Sequence, residues 1–77
     1  MAFKIGDKVT LRRETIGQWG GGGLNAVARK RLSGVVEDVY GVELPPYQRS
    51  YLVKFPPPRK DTKELTGKIP GARLQNS

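Results

Sequence analysis

Apolar and polar positions alternate cleanly in two places along this chain. In Lys8-Val9-Thr10-Leu11-Arg12, Val9 and Leu11 share one face and Lys8, Thr10 and Arg12 the other, the period-two signature of a strand with one wet side. Phe3 and Ile5 lead into it through a Gly6-Asp7 turn. In Arg49–Phe55, Tyr51, Val53 and Phe55 fall on one face, and Leu52 and Lys54 on the other. Between them, Gly34–Tyr40 is rich in Val and Tyr but out of phase, with Val35 and Val39 on one side and Val36 with Asp38 and Tyr40 on the other. That parity predicts either a strand covered on both faces or a β-bulge near Glu37-Asp38. Gly41 and the Leu44-Pro45-Pro46 break join the second and third strands as a hairpin. A hairpin alone is marginal in water, so the remaining segments must close onto it.

A fourth strand is expected over Lys63–Ile69, after Pro56-Pro57-Pro58 stops the third. The tail Ile69-Pro70-Gly71-Ala72-Arg73-Leu74-Gln75 reads as a tight turn feeding a last short strand anchored by Leu74. Residues 13–33 break the strand pattern. Gly17 and the run Gly20–Gly23 predict a mobile linker, because glycine loses the most backbone entropy on ordering. Leu24–Leu32 then offers one or two helical turns, with Leu24, Val27 and Ala28 on one side and Ser33-Gly34 as the stop. The expected fold class is all-β: one domain over residues 1–77, a small antiparallel barrel of about five strands, with a long glycine-rich first loop able to hold a short helix. Removing that loop is expected to leave a stable core.

Composition narrows the chemistry. Seventy-seven residues allow one core. With no cysteine and no histidine, a disulfide framework is impossible and the best transition-metal ligands are missing, so no metal and no cofactor are expected. The N-terminal residues lack the apolar run of a signal peptide and nothing approaches a membrane span, which points to the cytoplasm. Fourteen Lys and Arg stand against seven Asp and Glu, a formal charge of +7 that favours polyanions or acidic protein surfaces. The excess is uneven: residues 1–31 carry seven bases and two acids, residues 32–77 seven bases and five acids.

The combination Gly6-Asp7-Lys8-Val9, Gly34-Val35-Val36-Glu37-Asp38-Val39, Tyr51-Leu52-Val53-Lys54-Phe55 and Pro70–Leu74 resembles the SH3-like barrel superfamily. The Gly34–Val39 element is similar to the core of KOW domains of ribosomal proteins and transcription elongation factors. Where a KOW repeat carries a further glycine, this chain has Arg29-Lys30-Arg31. The opening Gly-Asp-x-Val strand with a long first loop also resembles the nitrogenase accessory protein Z family, the photosystem I reaction-centre subunit IV family and the variable chain of ferredoxin-thioredoxin reductase. The first resemblance implies nucleic-acid binding, the others docking onto protein complexes.

Catalysis has little to work with. Glu37 and Asp38 would point to opposite faces of a regular strand, and Ser33, Ser50 and Ser77 have no histidine to activate them, so the chain is not expected to be an enzyme. The glycine run lacks the Gly-Lys-Ser/Thr ending of a phosphate loop, and the proline stretches lack the spacing of SH3 or WW ligands. The first loop is different. Arg12 and Arg13 leave strand one, Trp19 sits beside the glycines, and Arg29-Lys30-Arg31 re-enter strand two. Arginine forks match phosphate oxygens and an exposed indole stacks on a base, so these six residues are the expected nucleic-acid surface. The same loop, or an apolar patch near Trp19 and Tyr47, suits docking onto an acidic protein partner in a larger complex, and without any such role Trp19 caps the open end of the barrel and the bases are simply solvated. A homo-oligomer joined through barrel edges is a third arrangement.

Overall fold

The computed structural model describes residues 2–20 and 23–77. Five strands form one antiparallel sheet: β1 (Lys8–Leu11), β2 (Gly34–Tyr40), β3 (Ser50–Phe55), β4 (Leu65–Pro70) and β5 (Leu74–Asn76), in the order β4-β3-β2-β1-β5. Among the described residues a single α-helix, α1 (Leu24–Lys30), lies between β1 and β2, and 3-10 turns occupy Arg13–Thr15, Pro46–Gln48 and Gly71–Arg73.

The out-of-phase second strand is resolved by a bulge where it was expected. Val36 stands opposite Val53 and Asp38 opposite Leu52, so Glu37 is the extra residue. The inserted residue turns both Val36 and Val39 inward, where a regular strand would send one of them to solvent. Val35 and Tyr40 face outward, and the Lys68 ammonium lies 4.7 Å from the centre of the Tyr40 ring.

The buried set is Phe3, Val9, Leu11, Val27, Ala28, Val36, Tyr51, Val53, Phe55, Ile69 and Leu74. Tyr51, Val53 and Phe55 come from one face of β3, as the alternation requires, and Phe3 meets the Tyr51 ring edge-on at 5.3 Å. Gly34 begins β2 beneath the Phe55 ring. A Cβ there would lie 2.6 Å from Val53 Cγ1 and 2.7 Å from Phe55 Cδ1, so only glycine lets β2 approach β3 this closely. At the corner between β4 and β5, Gly71 donates its N–H to the Arg49 carbonyl at 2.8 Å, and a Cβ would come within 2.5 Å of the Pro46 carbonyl oxygen.

Two expectations are corrected. The sheet does not close into a barrel: among the described residues, β4 pairs only with β3, and β5 only with β1. β5 has just three residues, and α1 packs beside β4 where a closing ladder would run. A Cβ on Gly23 would meet Leu65 Cδ1 at 3.0 Å, and one on Gly67 would meet Leu24 at 3.7 Å.

The segment between β1 and β2 is also more than a linker. Gly21 and Gly22, the middle of the glycine run, lie outside the described residues, but the rest of the excursion is built into the core. Val27 and Ala28 are fully buried, while Leu24, Leu32 and Trp19 pack against the same cluster. The Asn25 side chain ties the two halves together. Its Oδ1 accepts from the backbone N–H of Gly17 at 2.8 Å and of Trp19 at 3.2 Å, and its Nδ2 donates to the Gly20 carbonyl at 3.0 Å. One amide thus satisfies three main-chain groups that a loop would otherwise leave to water.

Candidate functional site

Arg12 leaves β1 alongside the incoming tail. Its backbone N–H donates to the Arg73 carbonyl at 2.9 Å and its Nε to the Leu74 carbonyl at 3.1 Å, while its Nη1 stands 3.9 Å from Glu14 Oε1. Both partners of that ion pair are largely exposed, so it contributes about 0–1 kcal/mol. Arg13, next in line, is exposed and its side chain has no partner among the described residues.

Trp19 does not stand free. The indole is half-buried against the core, its Nε1 has no acceptor among the described residues, and the Arg73 guanidinium lies 5.4 Å from the ring centre. Arg73 is held there by a 3.1 Å hydrogen bond from Nη1 to Gln18 Oε1. Arg73 is therefore a cation of this site that the sequence pattern missed. The signal was the Pro70-Gly71 turn, which returns the tail to β1, but the register that seats Arg73 over Trp19 is set only by the β1–β5 ladder. With core on one side and Arg73 close to the ring, the indole acts as packing. We expect Trp19→Ala to lower the stability by about 2 kcal/mol, below the ~3–5 kcal/mol of a fully buried tryptophan, and urea denaturation measures it.

Arg29, Lys30 and Arg31 end α1 in three different ways. Arg29 projects to solvent. Arg31 takes a left-handed conformation at φ 54°, unusual for a residue with a side chain, and its N–H returns to the Ala28 carbonyl at 3.2 Å to close the helix. Lys30 folds back, and its Nζ donates to the Pro58 carbonyl. This bond brings the β3–β4 loop, with Arg59 and Lys60, beside the arginine cluster. Pro58 is buried, so the proline run serves as a wall against the helix as well as a strand terminator.

Helix and loop leave a cleft of about 300 Å³ between them, lined by Gly23, Ala26, Pro58, Arg59, Thr62 and Leu65. Its polar groups are mostly used internally: Thr62 Oγ1 accepts from the Arg59 N–H at 3.2 Å and donates to the Arg59 carbonyl at 2.8 Å. The guanidinium of Arg59 has no partner among the described residues.

Carboxylates are concentrated elsewhere. Leu32 to Gln48 hold Glu37, Asp38 and Glu43 and no base. Glu64 pairs with Lys54 at 3.4 Å, leaving Asp61 as the unpaired acid of the β3–β4 loop among the described residues. Of the six residues expected from the sequence, Arg12 and Trp19 meet through Arg73, and Lys30 is drawn to the β3–β4 loop. Arg13, Arg29 and Arg31 stay open to solvent. The Ser33 and Ser77 hydroxyls are hydrogen-bonded to each other. Among the described residues, no three His, Cys, Asp or Glu side chains converge as metal ligands, and no helix is long and apolar enough to cross a membrane. Comparison of the chain with protein-family models, curated proteins and solved structures finds no match.

Proposed function

We propose that this protein is a non-enzymatic, basic β module of SH3-like outline that binds nucleic acid along the excursion between β1 and β2. The observation that carries the reading is three arginines, Arg13, Arg29 and Arg31, exposed and without a side-chain partner among the described residues. Unpaired guanidinium groups are available to phosphate oxygens at no cost in broken internal pairs, and they recognise those oxygens through paired N–H donors. Lys30 and Arg12, already bonded to main-chain carbonyls, hold the excursion in place more than they reach outward. Affinity then comes mainly from counterion release, and sequence preference is weak.

Titration of labelled single-stranded and duplex nucleic acid at several salt concentrations tests this. For three phosphate contacts a log-log slope of about −2.7 is expected on duplex DNA and about −2.1 on a single strand. Absence of binding to either form at low salt removes the reading.

A second reading has its own observation. Val42 is 65% exposed and Tyr47 59%, both in the β2–β3 connection beside Glu43, which suits an accessory subunit seated on a protein complex. Under it, nucleic acid binds weakly and without preference and a single stoichiometric protein is recovered, its release by salt marking an acidic surface on the arginines.

A further inference from the structure

We infer that the cleft between α1 and the β3–β4 loop seats one unpaired base of a single strand, while the neighbouring arginines hold that strand's phosphates. This deepens the nucleic-acid reading and rests on it. Three features point the same way. The walls contributed by Ala26, Pro58 and Leu65 are apolar, and Gly23 adds bare backbone, where a Cβ would already press on Leu65 at 3.0 Å. The cleft, about 300 Å³, is at the small end of ligand sites and has room for a flat ring system. Arg59 is part of the lining with its guanidinium unengaged among the described residues, and that plane both stacks on a base and reaches an adjoining phosphate.

Charge complementarity selects the occupant. Lys30, clasped to Pro58, carries a cation at the junction of helix and loop, and Arg29 and Arg31 flank it in the chain. A partly apolar slot with Arg59 in its lining and Lys30 bonded to its Pro58 wall fits a flat ring that carries a phosphate on either side. A duplex cannot use it, because its bases are stacked and paired. With the Thr62 hydroxyl committed to the Arg59 backbone, the slot has few free groups to read a base edge, so discrimination among bases is weak.

Ala26→Phe tests this, since it places a ring into the cleft and leaves every charge intact. For the wild-type chain, a ten-residue oligothymidylate is expected to shift the amide resonances of Gly23, Ala26, Arg59, Thr62 and Leu65. In Ala26→Phe its affinity falls about 10-fold, with the salt slope and duplex affinity unchanged. Unaltered oligothymidylate affinity in a folded Ala26→Phe, or a wild-type shift map that misses those five amides, overturns the cleft and leaves the phosphate-binding arginines standing. If neither oligothymidylate nor duplex binds at low salt, the broader reading fails first and takes the cleft with it. Thymidine monophosphate binding as tightly as the oligomer overturns the strand as occupant and assigns a free nucleotide. Should Ala26→Phe not fold, the wild-type shift map and the monophosphate titration decide.

Discussion

Val27→Asp is expected to remove most of the folded population. Val27 is fully buried, on the one helix that lies between β1 and β2, and it shares its cluster with Phe55, Val53 and Ile69. A carboxylate there has no cation within the core to pair with, since every residue of that cluster is apolar apart from the Tyr51 hydroxyl. Burying an unpaired charge is among the few mechanisms by which one substitution costs more than about 4 kcal/mol. A chain of 77 residues has a net stability of roughly 4–12 kcal/mol, so the loss takes a third or more of the total. Urea unfolding followed by far-UV circular dichroism measures it, with Arg29→Gln on the exposed side of the same helix as the control, expected within about 0.5 kcal/mol of wild type. An unchanged midpoint for Val27→Asp would mean that the helix detaches without consequence and that the sheet stands alone.

The second large effect belongs to the combined variant Arg13→Gln, Arg29→Gln, Arg31→Gln. Each replaced arginine removes one phosphate contact, and each contact contributes about 0.9 to the slope of log affinity against log salt. On a duplex the triple variant should therefore lose about 2.7 units of slope, and near physiological salt its affinity should fall on the order of 100-fold. Stability should hardly change, because these side chains make no hydrogen bond or ion pair among the described residues. That separation of affinity from stability distinguishes the arginines from Trp19, whose removal acts on the fold. Fluorescence anisotropy across a salt series, paired with urea curves, reads both. A triple variant that retains wild-type affinity would place the polyanion surface elsewhere on the chain.

Where strand faces alternate, local pattern is sufficient. β1 and β3 were legible because one buried face and one wet face impose a period of two, and in β2 the broken period of Val35, Val36 and Val39 left a bulge or a strand covered on both faces, a choice that the pairing with β3 settles as the bulge. The short helix was readable from Leu24, Val27 and Ala28, although not the depth of its burial. Glycine content argued for looseness, yet the excursion is held by Asn25 bonding to Gly17, Trp19 and Gly20. No composition rule anticipates one amide satisfying three main-chain groups several residues away.

For the candidate site, the chain alone determined which side chains carry positive charge and that they flank the first excursion. Tertiary structure decided what each does. The β1–β5 ladder, pairing residues more than sixty positions apart, put Arg73 over Trp19 and turned the indole from an open platform into packing. The clasp from Lys30 to Pro58 joined two basic segments and left a cleft between them. Such contacts depend on strand order and on which edge the helix covers, quantities fixed by long-range packing of the whole core. Charge is a property of a residue, whereas availability depends on its neighbours, and those neighbours come from distant parts of the chain.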